Sequence, residues 1–225
     1  MGRYRCIFFD FDGTLINSEI SITDSVRYTL EKRGIFETDR EKLRRFIGPP
    51  LVESYMNYYG FSKEEACEAV EDYRYIYRKK NILRVNAYEG ICQTLEKLKS
   101  KGLILCIASS KPLPMIEEIS NHLDIARYFD EIFGATLDGR IIRKEDVIYE
   151  AIKYIKEKHP DIDMSEILMV GDRRYDAEGS KAFNIDCVGV KYGFADEGEL
   201  EEAGCVYIID KPEELLAIIG ISENS

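Results

Sequence analysis

The sequence is poor in histidine, and its cysteines lack the spacing of a metal site. Only two histidines are present, His122 and His159, and neither has a partner at ligand spacing in its polar surroundings. The six cysteines are scattered without a CxxC or Cys/His pattern, and several lie within apolar runs, as small hydrophobic residues would. These shortages argue against histidine catalysis and against a Cys/His metal centre, and they predict that the cysteines fill the core.

The sequence also lacks a long hydrophobic run and an excess of basic residues. No apolar stretch approaches the roughly 20 residues that span a bilayer, and the N-terminus lacks the pattern of a signal peptide. The 31 Lys and Arg residues face 42 Asp and Glu residues, for a net charge of −11, which opposes nonspecific attraction to nucleic acid and anionic membranes. We therefore expect a cytoplasmic protein with no nucleic-acid or membrane partner, in which any positive charge for an anionic substrate is local.

Short apolar runs alternate with amphipathic stretches along most of the chain. The strand candidates are YRCIFF, LILCIAS, DEIFGA, EILMVG, DCVGVK and CVYIID. Such alternation is typical of a parallel sheet with helices on both faces. The sequence thus predicts an α/β fold with a doubly wound parallel sheet, in a chain long enough for one large domain or two modest ones.

One segment, between Asn17 and about Asn86, breaks this alternation because it carries helix signals and no convincing strand. Two capping boxes are indicated, at Thr38 to Glu41 and at Ser62 to Glu65. The Pro49-Pro50 pair must end the helix before it. We predict a smaller all-helical domain over residues 17–86, inserted after the first strand into a core formed by residues 1–16 and 87–225.

Polar residues that could take part in catalysis or metal binding follow the predicted strands. The stretch CIFFDFDGTL runs an apolar strand directly into Asp10 and Asp12, and GDRRYD follows the EILMV strand. Neighbouring carboxylates at buried strand ends are costly unless a cation compensates them. Because ligands collect at the carboxyl ends of strands in doubly wound sheets, these aspartates, Ser109 and Lys144 are predicted to meet in one crevice. Such a set of residues favours phosphoryl transfer assisted by a metal ion.

The order of these motifs, DxDGT, then a serine, a lysine and GDxxxD, resembles that of the haloacid dehalogenase-like hydrolase superfamily. The resemblance covers the whole chain and lies with the phosphatases that carry a helical cap after the first motif. The stretches SSKP, TLDGRIIRKEDVI and VGDRRYDAEGSKAFNID are similar to those of phosphoglycolate phosphatase-like members and of relatives described as nucleotidases. The resemblance implies a Rossmann-like core, with the helical insert as the cap.

The resemblance implies a role for each catalytic residue. Asp10 would be the nucleophile that forms an aspartyl-phosphate, and Asp12 would protonate the leaving oxygen and then activate water. Ser109 would donate a hydrogen bond to the phosphoryl group, and Lys144 would hold it by charge. Taken alone, Ser109 is better explained as a cap, and Lys144 could be ordinary solvated helix surface; the order of the four motifs favours the catalytic roles.

The resemblance also implies a magnesium ion and contacts to a small phosphorylated substrate. The Mg²⁺ ligands would be the Asp10 carboxylate, the Asp12 carbonyl and Asp172, with Asp176 a ligand through water or a support. The substrate-contacting candidates are Phe11, Gly13, Thr14, Ser110, Arg45 and Gly48, the last two in the insert.

Three functions from different classes remain open on the sequence. The first is a Mg²⁺-dependent phosphatase, monomeric or homodimeric, for a phosphomonoester such as phosphoglycolate or a nucleoside monophosphate. The second is a sugar-phosphate mutase that uses the same aspartyl-phosphate, which the sequence does not separate from the first. The third is a non-enzymatic phosphate-binding regulator, against which the intact catalytic set argues. A dehalogenase would be expected to lack Asp12.

Overall fold

A computed structural model describes residues 2–221 of the chain. The chain divides into two compact units, of which one combines the described residues up to Ile16 with those from Ala87 onward. The other unit runs from Asn17 to Asn86. The strands are β1 (Cys6–Phe9), β2 (Ile16–Asn17), β3 (Asn86–Ala87), β4 (Ile104–Pro112), β5 (Glu131–Ala135), β6 (Ile167–Gly171), β7 (Asp186–Val190) and β8 (Tyr207–Ile209).

The first unit is built on a six-stranded parallel sheet in the order β5-β4-β1-β6-β7-β8. These are the six runs expected as strands, so the predicted α/β fold with a parallel sheet is confirmed. β1 lies in the middle, where Phe9 is level with Ile107 of β4 and with Val170 of β6. All four residues of β1 are buried, as expected for a strand covered on both faces. This register brings the carboxyl ends of β1, β4 and β6 to the same edge of the sheet.

Ten α-helices accompany the strands within the described part of the chain. They are α1 (Glu19–Glu31), α2 (Arg40–Arg44), α3 (Leu51–Tyr59), α4 (Lys63–Ile76), α5 (Ile91–Ser100), α6 (Leu113–His122), α7 (Lys144–Lys158), α8 (Arg174–Lys181), α9 (Glu199–Ala203) and α10 (Glu214–Ile219). Short 3-10 turns cover Ala126–Tyr128 and Met164–Glu166. No helix among residues 2–221 is long and apolar enough to cross a bilayer.

The core of the first unit holds α7 and α8 against one face of the sheet. Phe8 and Met169 from the strands pack in a cluster with Val147 and Ile148 of α7 and Ala177 of α8, all of them buried. Removing this much apolar surface from water is the main stabilising contribution to the unit. Three cysteines are part of the same cluster, which fits the expectation that they fill space: Cys6, Cys106 and Cys187. The packing fixes α7 and α8 at the sheet edge where their first turns carry polar residues.

The second unit contains α1 to α4 and a π-helical turn at Tyr77–Asn81. The capping box at the start of α4 forms as predicted, since Ser62 Oγ accepts from the Glu65 N–H at 3.2 Å and Glu65 accepts from the Ser62 N–H at 2.8 Å. The box predicted at Thr38 is wrong. Asp39 caps α2 instead, accepting from the Glu41 N–H at 3.0 Å. Aspartate is at least as favourable as threonine at an N-cap, and Asp39 is the residue directly before the first residue of α2.

Candidate active site

Three aspartates of the first unit form a buried cluster at the carboxyl edge of the sheet. Asp10 directly follows β1, Asp172 directly follows β6, and Asp176 lies in the first turn of α8. One carboxylate oxygen of each lies within 4.8 Å of the other two, and their side chains are all buried. The pairing of β1 with β6 explains the approach of Asp10 to Asp172. Three oxygen donors at this spacing could hold a metal ion.

Lys144 supplies the positive charge inside this cluster. It is the first residue of α7, and its Nζ lies 2.5 Å from Asp10 Oδ1 and 2.8 Å from Asp176 Oδ1. It also donates a hydrogen bond to the carbonyl of Ala108 at 3.0 Å. Burial alone would lower the pKa of this amine, but Asp10 and Asp176 raise the pKa above its ordinary value. Lys144 is therefore charged and bound to carboxylates, and the alternative of a solvated helix residue does not apply.

One ammonium group does not balance three carboxylates. Burial, followed by the charges of Asp176 and Asp10, raises the pKa of Asp172 well above its usual range. Burial also raises the pKa of Asp176, and although Lys144 opposes this, the pKa reaches about 6. The excess negative charge and the all-oxygen donor set fit a hard divalent cation, which would neutralise what Lys144 leaves.

We expect the metal-free protein to lose stability as the pH rises from about 4 through about 6. Both Asp172 and Asp176 have a higher pKa in the folded protein than the ~4 of an unfolded aspartate. The folded state therefore binds more protons, and this stabilisation is lost as the pH rises through the raised pKa values. Thermal melting in chelator at stepped pH measures the effect, and Asp176→Asn is expected to flatten part of the slope. A melting temperature that climbs steadily over this range in chelator would contradict the expectation.

Asp12 lies beside this cluster and is paired with a second buried lysine. Lys111 Nζ contacts both carboxylate oxygens of Asp12, at 3.1 Å and 2.9 Å. The Lys111 side chain is only 6% exposed, so this pair is poorly screened by water. The Lys111 N–H also donates to Ser109 Oγ at 3.3 Å. Ser109 and Asp12 are thereby connected through one residue of β4, to which the sequence analysis assigns no role.

The turn after β1 is built by the residues predicted to contact substrate. Gly13 has a φ of +85°, which an L side chain rarely adopts. The Gly13 N–H donates to the Ile16 carbonyl at 2.9 Å, and the side chains of Phe11 and Thr14 are completely buried. Thr14 Oγ1 donates to Asp172 Oδ1 at 3.4 Å. These contacts shape the loop and its neighbour, and direct contact of these residues with a substrate stays a prediction.

The other predicted substrate contacts are spread over both units. Ser110 is half-buried in β4 of the first unit. Arg45 is exposed just after α2 of the second unit, and Gly48 has a φ of +106° in the turn before α3. Their roles stay predictions.

Sequence reasoning missed the segment that follows β7. The Phe194 N–H donates to Asp172 Oδ2 at 2.8 Å, and the Tyr192 hydroxyl donates to the Thr14 carbonyl at 3.1 Å. The available signal was position, because KYGF follows the strand DCVGV and must leave the sheet at the same edge as the aspartates.

Comparison with known proteins gives matches over most of the chain. Residues 7–190 match the family model described as haloacid dehalogenase-like hydrolase. A 5'-nucleotidase of Pseudomonas aeruginosa is 39% identical over 198 residues, covering 88% of this chain and 87% of the relative. A phosphoglycolate phosphatase of Pseudomonas fluorescens is 29% identical, covering 94% of this chain and 78% of the relative.

A solved structure matches most of the chain. The crystal structure of a protein described as a predicted phosphatase from Clostridium acetobutylicum superposes with a TM-score of 0.88 at 40% identity. The match covers 94% of this chain and 96% of that chain. The family indicated by the motifs is confirmed. The chain belongs to the haloacid dehalogenase-like hydrolase family, among its phosphatases.

Proposed function

We propose that this chain is a Mg²⁺-dependent phosphatase that hydrolyses small phosphomonoesters through an aspartyl-phosphate at Asp10. The observation that carries the proposal is the meeting of Asp10, Asp172 and Asp176 around the buried ammonium group of Lys144. Nothing in ordinary packing requires three carboxylates in one buried cluster, whereas transfer of an anionic phosphoryl group requires oxygen ligands for a cation.

In the first half-reaction the Asp10 carboxylate attacks phosphorus and the bond to the leaving oxygen breaks. Asp12 gives its proton to that oxygen, so the alcohol leaves neutral. In the structure Asp12 is held as an acceptor by Lys111 at 2.9 Å. An arriving phosphate dianion competes for this ammonium group, and Asp12, once released, takes a proton from solvent before it gives that proton to the leaving oxygen. Lys111 thus joins Ser109 as a proposed hydrogen-bonding ligand of the phosphate. Lys144 would hold the phosphoryl group by its charge alone, because its three N–H donors already face Asp10, Asp176 and the Ala108 carbonyl.

In the second half-reaction water attacks the phosphorus of the aspartyl-phosphate. Asp12, now ionised, takes a proton from that water, and the bond between phosphorus and the Asp10 oxygen breaks. Phosphate leaves, and Asp10 is a carboxylate again. Lys144 stays paired with Asp10 and Asp176 through the cycle and keeps the nucleophile oriented.

The proposed metal ligands are the side chains of Asp10, Asp172 and Asp176 with the carbonyl of Asp12. Bound Mg²⁺ would supply the positive charge that allows an anionic carboxylate to approach an anionic phosphate. Asp172 positions this charge through the hydrogen bonds that it accepts from Thr14 and Phe194.

We propose that the helical unit Asn17–Asn86 is a cap that selects the substrate, with Arg45 and Gly48 among its contacts. A nucleoside 5'-monophosphate is the first substrate to test, because the nucleotidase relative is 39% identical to this chain. Phosphoglycolate is the second. We expect the enzyme to act in the cytoplasm as a monomer or homodimer. The relatives named above are hydrolases, which does not favour the mutase alternative.

We expect purified protein to release phosphate from p-nitrophenyl phosphate and from one group of metabolites in the presence of Mg²⁺. Excess chelator should lower the rate by about a hundredfold or more, since the metal stabilises the transition-state charge by several kcal/mol. Restoring Mg²⁺ should restore the rate. The panel comprises nucleoside monophosphates, phosphoglycolate and sugar phosphates, with free phosphate as the readout.

Two results would contradict the proposal. Undiminished hydrolysis in chelator would exclude the metal, and absence of phosphate release from every compound would exclude the phosphatase. Interconversion of hexose phosphates without net hydrolysis would move the assignment to the mutase.

A further inference from the structure

The segment Lys191–Phe194, directly after β7, lies against the two loops that carry the proposed metal ligands. Its contacts form a closed chain of hydrogen bonds. The Tyr192 hydroxyl donates to the Thr14 carbonyl at 3.1 Å, and Thr14 Oγ1 donates to Asp172 Oδ1 at 3.4 Å. The Phe194 N–H closes the chain by donating to Asp172 Oδ2 at 2.8 Å. Each carboxylate oxygen of Asp172 thus accepts a hydrogen bond from a neighbouring loop.

The segment packs closely against Asp172 and the loop after β1. A Cβ at Gly193 would lie 2.3 Å from the Asp172 Cβ and 2.5 Å from the Gly13 carbonyl oxygen. A Cβ at Gly13 would lie 2.1 Å from Asp172 Oδ2. The φ of Gly193 is not in the left-handed region, so only the close approach demands glycine there. Three chain segments therefore pack closely around the Asp172 side chain, with glycine at two of the points of contact.

We propose that Lys191–Phe194 is a positioning element that sets the orientation of the Asp172 carboxylate for Mg²⁺. This inference rests on the proposed function, in which Asp172 is a metal ligand. A completely buried carboxylate with one hydrogen bond could rotate about its terminal torsion, whereas donors on both oxygens fix the plane in which its remaining lone pairs point. Tyr192 acts one step further away, because it holds the carbonyl of the residue whose hydroxyl contacts Asp172.

Two variants separate this role from general packing. Tyr192→Phe removes only the hydroxyl that holds the catalytic loop, and Gly193→Ala places a methyl group against Asp172. Removing a group that hydrogen-bonds to a metal ligand typically lowers the metal affinity by about 10- to 100-fold. We expect Tyr192→Phe to raise the Kd for Mg²⁺ by about fivefold to tenfold, and Gly193→Ala by about tenfold or more. Tyr207→Phe, at a partly exposed tyrosine of β8, is the matched control and should leave the Kd unchanged.

The experiment measures Mg²⁺ binding by calorimetry and by the Mg²⁺-dependent rise in melting temperature. It also measures the KM for p-nitrophenyl phosphate at saturating Mg²⁺. We expect this KM to stay within about threefold of the wild-type value, because the substitutions remove no proposed contact with the substrate. A weaker Kd with an unchanged KM supports positioning. A merely structural role would lower the melting temperature equally with and without Mg²⁺ and leave the Kd as it is.

The outcomes distinguish the two proposals. If wild-type protein binds Mg²⁺ and both variants bind it equally well, the positioning role is wrong and the proposed function stands. If wild-type protein does not bind Mg²⁺, the proposed function fails and the positioning role fails with it. If Gly193→Ala does not fold, Tyr192→Phe alone decides the question.

Discussion

Asp10→Asn is expected to lower the rate of phosphate release by about four orders of magnitude or more. The change replaces the proposed nucleophile by a neutral amide of almost the same shape. An amide oxygen is too weak a nucleophile to form the covalent intermediate. The loss should appear in kcat at saturating Mg²⁺ and saturating p-nitrophenyl phosphate.

The same variant should remain folded. The cluster holds three carboxylates against the single ammonium group of Lys144, so removing one negative charge relieves repulsion in a buried place. We expect an unchanged circular dichroism spectrum and a melting temperature equal to or above that of the wild type in chelator. Asp138→Asn, at a half-exposed aspartate outside the cluster, is the matched control for activity. A rate above about 1% of the wild type in Asp10→Asn would remove Asp10 from the nucleophile's role.

Lys144→Met should have the largest effect on stability, a loss of about 3–5 kcal/mol in the free energy of unfolding. The substitution keeps the length of the side chain and removes its charge. Lys144 is 6% exposed and pairs with Asp10 and Asp176, so its loss leaves buried carboxylates with no ammonium group and the Ala108 carbonyl without its donor. Phosphate release should fall below detection because the nucleophile also loses its orientation.

Urea unfolding in chelator measures this loss, with Lys153→Met on the exposed side of the same helix as control. Lys153 is 56% exposed, and its loss should change stability by about 0.5 kcal/mol or less. Adding Asp176→Asn to Lys144→Met should recover part of the loss, since the charges act on each other and their effects are not additive. A loss below about 1 kcal/mol for Lys144→Met would show that Lys144 is not the internal counter-ion.

Much of the fold and the location of the site could be predicted because both depend on local patterns. Apolar runs of strand length fixed the six strands, and parallel pairing then required their carboxyl ends to share an edge. Asp10, Asp172 and Lys144 could therefore be grouped from the sequence alone, since each stands at the end of a strand or the start of a helix that packs on the sheet. The capping box at Ser62 was equally local.

The details that were missed depend on contacts between distant residues. The hydrogen bond from Tyr192 to Thr14 joins the loops after β7 and β1, and the spacing of apolar residues along the sequence cannot predict such a contact. The pairing of Lys111 with Asp12 depends on side-chain conformations at the end of β4. The Phe11 side chain is completely buried in the loop, and contact of this residue with a substrate stays a prediction.

The central place of β1 has a consequence for the order of events during synthesis. β1 pairs with β4 and β6, whose residues are translated much later, so the apolar strand CIFF leaves the ribosome long before either partner exists. The residues of the helical unit emerge in between and can pack around their own core while β1 is still unpaired. Chains stalled before Ile167 expose an unpaired edge that invites aggregation. Because Asp172 follows that last neighbouring strand, metal binding reports a chain whose central sheet is complete.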